Sequence, residues 1–108
     1  MLKKLPPEKL AEILEAGIEE FALHGPGRAN MRTIAARAGI SVGALYKYYG
    51  DKDGFFRACL DRSLEGLDAV LSAAAAREGP VLEQARQIIR ALLAFSREHP
   101  GYVRLYSM

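Results

Sequence analysis

Apolar residues recur at three- and four-residue steps along most of this chain, and runs of this kind predict amphipathic helices. The first run begins at Pro7 and continues to about His24. Proline is tolerated in a first turn, and Glu8 stands where the positive end of the helix dipole favours a carboxylate. Gly25 can adopt a left-handed conformation, and Pro26 bars continuation of the helix. The inward stripe is predicted to be Leu10, Ile13, Leu14, Gly17, Ile18 and Phe21.

Two short helices follow, and each is bounded by a capping residue and a glycine. Asn30 suits the cap of a helix over residues 31–38, because its side chain can accept hydrogen bonds from the free amides of the first turn. Ser41 suits the cap of a third helix over about residues 42–48. Two short helices joined by "AGIS" are typical of a helix-turn-helix.

The residues around "AGIS" also fit the packing of a helix-turn-helix over about residues 30–49. Ala35 is small where the next helix has to cross closely, and Gly39 supplies a turn conformation that a side chain would penalise. Ile40 and Leu45 can fill the gap between the two helices. A single match of this kind is weak, but four at the required offsets between capped helices are specific.

Two longer helices complete most of the chain. Asp51 suits the cap of the fourth helix, and Pro80 opens the fifth after a break at "REGP". The fourth helix is predicted to turn inward Phe55, Phe56, Cys59, Leu60, Ser63, Leu64, Leu67, Val70 and Leu71. The fifth is predicted to turn inward Leu82, Ala85, Ile88, Ile89, Leu92 and Phe95.

The last residues, "GYVRLYSM", predict the first turn of a sixth helix. Leu105 and Tyr106 have no obvious cover there. Because no alternating strand pattern occurs anywhere, the predicted fold class is all-α.

Charge is distributed unevenly along the chain, although the net charge is only +2. The first helix is rich in glutamate, whereas five cations face only Asp51 between positions 28 and 52. A local basic patch of this kind favours a polyanion as the partner. The five cations are Arg28, Arg32, Arg37, Lys47 and Lys52. We expect Arg28 and Arg37 to be solvated surface charges.

The sequence offers no support for catalysis, a cofactor or a metal site. Cys59 is the only cysteine, and the two histidines, His24 and His99, are far apart in sequence, so a zinc site is not expected. Ser41 has no histidine near it, and "GISVGALY" lacks the spacing of a nucleophile elbow. We therefore expect a protein that is not an enzyme.

The cellular setting is predicted to be the cytoplasm. A lone cysteine gives no internal disulfide framework and suits a reducing compartment. The segment "MLKKLPPEKL" has cations without the apolar run of a signal peptide, and Lys3 and Lys4 are expected to form a frayed terminus. No stretch approaches the roughly 20 apolar residues of a membrane helix.

The third helix carries side chains suited to DNA if its exposed face enters the major groove. Tyr46 offers a flat ring for a thymine methyl group, and Lys47 and Lys52 can neutralise phosphates. Tyr48 can donate to a phosphate or can cover the core, and both interpretations stay open. Tyr49 is expected to turn inward.

Residues from about 10 to 60 resemble the DNA-binding domain of the TetR family of bacterial transcriptional regulators. The resemblance is carried by "ILEAGIEEFALHG" and "NMRTIAARAGISVGALYKYYGDKDGFF". It implies a DNA-binding domain over residues 7–56 and an incomplete effector-binding and dimerisation domain over residues 57–108. It also implies a homodimer that binds a palindromic operator, usually as a repressor, and a small-molecule effector of the full-length protein.

The resemblance implies DNA contacts by position. Arg32 is the candidate for a guanine edge. Val42 and Ala44 stand where many members carry polar residues, so more of the readout is expected from Arg32, Tyr46 and DNA shape. The implied contact residues are Asn30, Arg32, Thr33, Ser41, Val42, Gly43, Ala44, Tyr46, Lys47, Tyr48 and Lys52.

Two further questions stay open from the sequence. Four residues of the later helices can border an effector pocket or can be ordinary core, namely Cys59, Leu67, Ile89 and Phe95. The chain can also be a helical protein-interaction module that keeps the fold without binding DNA. A single DNA-binding domain, or reading head, is expected to bind DNA weakly and with strong salt dependence unless the chain dimerises.

Overall fold

All regular structure in the computed structural model is helical, and the model describes residues 4–108. Lys3 lies outside the described residues. The prediction of an all-α fold is confirmed. The helices, in chain order, are α1 (Pro7–Arg28), α2 (Met31–Ala38), α3 (Val42–Tyr49), α4 (Lys52–Ala75), α5 (Val81–Glu98) and α6 (Pro100–Tyr106).

The predicted helix ends are confirmed at three caps, whereas α1 extends one turn beyond its predicted end. The side-chain oxygens of Asn30, Ser41 and Asp51 each accept a hydrogen bond from an amide in the first turn of the following helix. Gly25 breaks α1 as predicted, with φ 79° and ψ 162°. One further helical turn runs to Arg28, because the Ala29 amide donates to the Gly25 carbonyl at 3.0 Å.

The first three helices and the start of α4 enclose one apolar core. Phe21 of α1 and Phe55 of α4 are fully buried, with ring centroids 5.9 Å apart. Ala35 and Leu45 are buried between α2 and α3, and Ile40 is half-buried beside them. The packing predicted for the helix-turn-helix is therefore confirmed.

The later helices form a second layer that returns to the first. α4 runs without a break through the domain boundary predicted after residue 56. Leu105 is buried and the Tyr106 hydroxyl donates to the Ser63 carbonyl at 2.8 Å, so the prediction that these residues lack cover was wrong. The physical reason is that α6 folds back over α1 and α4.

The inward stripe predicted for α5 was wrong over most of its length. Phe95 is buried, but Leu82 is 78% exposed and Ile89 57% exposed. Leu64 of α4, also predicted to face inward, is exposed as well. The reason is that α5 packs mainly on α4 and α6, so its far face is left exposed within residues 4–108.

One polar junction ties α1, α4 and α6 together. The Glu15 carboxylate accepts a hydrogen bond from Arg62 Nε at 3.0 Å and another from the Tyr102 hydroxyl. Burial and the adjacent Glu15 carboxylate raise the pKa of Tyr102 to about 12. Burial likewise raises the pKa of Tyr49 to about 12.

Alkaline pH is therefore expected to destabilise the fold. A pKa that is higher in the folded than in the unfolded state favours the neutral phenol on folding. This contribution is complete below about pH 10 and is lost as the pH rises towards about 12. The free energy of unfolding, measured with urea at several pH values across this range, should fall less steeply with pH for Tyr102→Phe than for the unmodified chain. An equally steep fall with pH for the two proteins would contradict the expectation.

Candidate nucleic-acid interface

A cationic depression lies where α2, α3 and the start of α4 meet. Its volume is about 420 Å³. Three cations line it and no carboxylate does, so its potential suits a phosphate or an electronegative base edge. The lining residues are Arg28, Ala29, Asn30, Met31, Arg32, Val42, Tyr46 and Lys52.

Arg32 lies in the first turn of α2 and lines the depression. Its side chain is exposed and has no ion-pair partner within residues 4–108. Arg37, at the other end of α2, instead lies 3.4 Å from the Glu19 carboxylate. This contact agrees with the expectation that Arg37 is a surface charge. Arg28, expected to be another, is also exposed, and it lines the depression.

Lys52 is both a structural contact and a free cation. Its ammonium group donates to the Gly27 carbonyl at 3.3 Å, which ties the start of α4 to the last turn of α1. An ammonium group has three donors, so two remain for a phosphate. The amides at the start of α4 lie beside it, although Asp51 already accepts from the Gly54 amide at 2.7 Å.

α3 presents a small-residue surface with one aromatic ring. Tyr46 is 42% exposed, and Gly43 and Lys47 are also exposed. Val42 and Ala44 are half-buried, so they offer apolar contact without a hydrogen-bonding group.

The other two tyrosines of α3 turn towards the core to different extents. Tyr49 packs edge-on against Phe55 with ring centroids 5.0 Å apart, which confirms its predicted inward direction. Tyr48 is half-buried, and its ring lies 5.2 Å from that of Tyr49. Its hydroxyl as a phosphate contact stays a prediction.

Two predicted contact residues already have structural duties. Asn30 Oδ1 accepts from the amides of Arg32 and Thr33 at 2.9 and 3.3 Å. Ser41 Oγ accepts from the Ala44 amide at 3.0 Å. The side-chain NH2 group of Asn30 and the hydroxyl hydrogen of Ser41 remain available as donors. Thr33, another predicted contact residue, is half-buried.

Sequence reasoning missed Glu20, which lies behind this surface. The sequence indicated only that the first helix is rich in glutamate, yet Glu20 is buried. The signal was its spacing, because Glu20 follows Ile13 by seven residues and Gly17 by three, and both of these point inward.

None of the four effector-pocket candidates lines the cationic depression or the cavity between α1 and α6. Cys59 is buried in the core, where burial raises the pKa of its thiol, and Ile89 is on the surface. The cavity between α1 and α6 has a volume of about 690 Å³. Phe95 and Leu67 belong to the same packed core as Cys59.

Neither a metal site nor a membrane span is found in residues 4–108. No three His, Cys, Asp or Glu side chains in that range come together as metal ligands. None of the helices there combines the length and apolar character needed to cross a bilayer.

Comparison with known proteins gives consistent matches. Residues 13–59 match the family model described as "Bacterial regulatory proteins, tetR family". The HTH-type transcriptional repressor SCO4008 of Streptomyces coelicolor is 33% identical over 106 residues, which are 97% of this chain and 51% of that protein. The nucleoid occlusion factor SlmA of Actinobacillus pleuropneumoniae is 28% identical over 97% of this chain and 52% of its own length.

Solved structures of other regulators also match the fold of this chain. A TetR-like transcriptional regulator from Rhodococcus sp. RHA1 has a TM-score of 0.86 and 31% identity, over 94% of this chain and 56% of its own. The fatty acid degradation regulator FadR from Bacillus halodurans, at 18% identity over 96% of this chain and 55% of its own, has a TM-score of 0.81 and supports the fold alone. The chain spans about half the length of the curated relatives it matches. Residues 13–59, which contain the helix-turn-helix, therefore belong to the TetR family of bacterial regulatory proteins.

Proposed function

We propose that this chain carries the DNA-reading head of a cytoplasmic, sequence-specific transcriptional regulator. The observation that carries the proposal is the depression in which Arg28, Arg32 and Lys52 converge beside the exposed ring of Tyr46. Cations around a small-residue helix suit a duplex, because phosphates require positive charge and base edges require close approach.

Each group has a role that its position suggests. The guanidinium of Arg32 can form two parallel hydrogen bonds with a guanine edge. Tyr46 contacts a thymine methyl group, and the half-buried Val42 and Ala44 complete an apolar surface beside it. Lys47 and Lys52 neutralise phosphates on either side of the groove, which fixes the register without reading sequence.

The regulator acts as a homodimer on a palindromic operator. Two reading heads that face successive major grooves must lie about 34–36 Å apart, one turn of DNA. Residues 57–108 begin the domain that joins the heads and holds a small-molecule effector. Repression is the favoured outcome, since the relative that shares 33% identity with this chain is named a repressor.

A selection from a randomised duplex library tests the proposal, at about 50 and 200 mM salt. The unmodified chain and a dimer forced by a C-terminal coiled-coil fusion are compared. We expect the dimer to enrich a motif with two inverted half-sites about 10 base pairs apart. The single chain should bind the same half-site more weakly and lose affinity steeply with salt.

Two results would count against the proposal. Salt-sensitive binding without any enriched motif, for both the chain and the forced dimer, would leave only non-specific attraction to DNA. An absence of DNA binding at low salt would favour the alternative, a helical protein-interaction module on the same fold.

A further inference from the structure

Glu20 is the only charged residue buried in the described part of the chain, residues 4–108. It lies on α1 and is 3% exposed. Moving an ionised carboxylate out of water costs several kcal/mol unless hydrogen bonds and charges compensate it. A leucine at this position would pack without that cost, so the side chain needs an explanation other than core stability.

The contacts of Glu20 point to the start of α2. Oε2 accepts a hydrogen bond from the backbone amide of Asn30 at 2.9 Å. Oε1 lies 3.8 Å from His24 Nε2, an ion pair when the imidazole is protonated. The positive end of the α2 dipole also favours a carboxylate there.

This hydrogen bond completes a capping arrangement between two helices. In a capping box, the cap side chain accepts from the third residue of the helix, and a Glu at that third residue accepts from the amide of the cap. Asn30 supplies the first half, since Oδ1 accepts from the Thr33 amide at 3.3 Å. Thr33 cannot supply the second half in the same way, and Glu20 of α1 does so instead.

The segment over residues 25–30, which runs from the last turn of α1 to the cap of α2, contains two glycines. Gly25 has a positive φ of 79°, and Gly27 follows two residues later. A segment that contains glycines can adopt many backbone conformations. Glu20 holds one end through the Asn30 amide, and Lys52 holds the middle through the Gly27 carbonyl.

We infer that Glu20 is a positioning residue of the DNA-reading surface, which fixes the start of α2 against α1 so that Arg32 meets the duplex in one orientation. Arg32 follows the anchored amide of Asn30 by two residues and lines the cationic depression. The inference rests on the proposed DNA-binding function. It assigns to a buried acidic residue a contribution to DNA affinity that its charge alone opposes.

The sign of the effect separates positioning from simple electrostatics. Removing a negative charge near a polyanion strengthens binding. Loss of the hydrogen bond between Glu20 and the Asn30 amide, the anchor of α2, weakens sequence-specific binding. The reason is that the backbone that carries Arg32 is then no longer held in one position. Glu19, next in sequence, is exposed and pairs with Arg37 at 3.4 Å, so it offers a matched charge change without the anchor.

The experiment compares Glu20→Met, Glu20→Gln and Glu19→Met with the unmodified chain. Each binds the selected duplex and a scrambled duplex at the same salt, well below its Tm. We expect Glu20→Met to lose about tenfold or more in affinity for the selected duplex, the range expected for a hydrogen bond to a charged group. Glu20→Gln keeps an oxygen acceptor and should stay within about threefold of the unmodified chain. Glu19→Met should bind both duplexes as tightly as before or more tightly.

Two outcomes would overturn the inference, and they are distinguishable. If the unmodified chain enriches a motif and Glu20→Met binds it equally well, Glu20 does not position the head, although the proposed function stands. If neither the unmodified chain nor the forced dimer enriches a motif, the function and the inference fall together.

Hydrogen exchange of the unmodified chain keeps the anchor testable if Glu20→Met does not fold. The Asn30 amide should exchange at least about tenfold more slowly than an unstructured amide. Exchange at the unstructured rate would show that the anchor is not formed.

Discussion

Gly17→Ala is expected to destabilise the fold by about 1–3 kcal/mol, the cost typical of overpacking a core. A Cβ at Gly17 would lie 2.5 Å from two ring carbons of Phe55 and 2.6 Å from Cys59 Sγ. Both side chains are fully buried, so neither can move without disturbing its own neighbours. Helix propensity alone predicts the opposite sign, since alanine is favoured over glycine within a helix by about 0.5–1 kcal/mol.

Gly66→Ala provides the matched control for this prediction. Gly66 also lies inside a long helix, but an added Cβ would come no closer than 3.5 Å to Tyr102 and 3.6 Å to Phe95. This is ordinary contact, so propensity should prevail and stability should rise by about 0.5–1 kcal/mol. Urea unfolding measures both variants. A gain in stability for Gly17→Ala would contradict the close contact between α1 and α4.

The contact at Gly17 concerns the site as well as stability. α1 holds the start of α2 through Glu20, and the start of α4 holds the last turn of α1 through Lys52. The close approach at Gly17 sets how near α4 comes to α1. A change there alters the support of the reading head from both sides, so Gly17→Ala is also expected to weaken DNA binding.

The sequence predicted what depends on a few neighbouring residues. Caps and turns belong to this class, because Asn30, Ser41 and Asp51 act on amides two or three positions away. The turn at Gly39, with φ 70° and ψ 32°, is equally local. The third helix and most of its exposed surface could therefore be predicted before any tertiary contact was known.

The sequence did not predict what depends on the neighbouring layer. α5 has a regular apolar stripe, and periodicity cannot say whether a second layer covers it, so Leu82 and Ile89 were placed inward. The burial of Leu105 was missed because the backward turn of α6 is a tertiary event. The burial of Glu20 was not predicted, because its charge indicates solvent while its spacing indicates the core.

The expected effects of Arg32 and Lys47 on DNA binding differ in kind. Arg32→Ala should lower affinity for the selected duplex by about 1–3 kcal/mol and relax the preference at one base pair of each half-site. Lys47→Ala should weaken binding about equally for selected and scrambled duplexes and reduce the dependence of log affinity on log salt by about one. Both side chains are exposed, so neither substitution should alter stability much.

Titrations at several salt concentrations, with Arg90→Ala as the control, decide between the two kinds of contact. Arg90 is an exposed cation on α5 that does not line the depression, so its loss changes net charge in the same way. If Arg32→Ala weakens binding equally for selected and scrambled duplexes, as expected for Lys47→Ala, then Arg32 is a phosphate contact. Base readout would in that case fall to Tyr46 and DNA shape, because Val42 and Ala44 carry no hydrogen-bonding side chain.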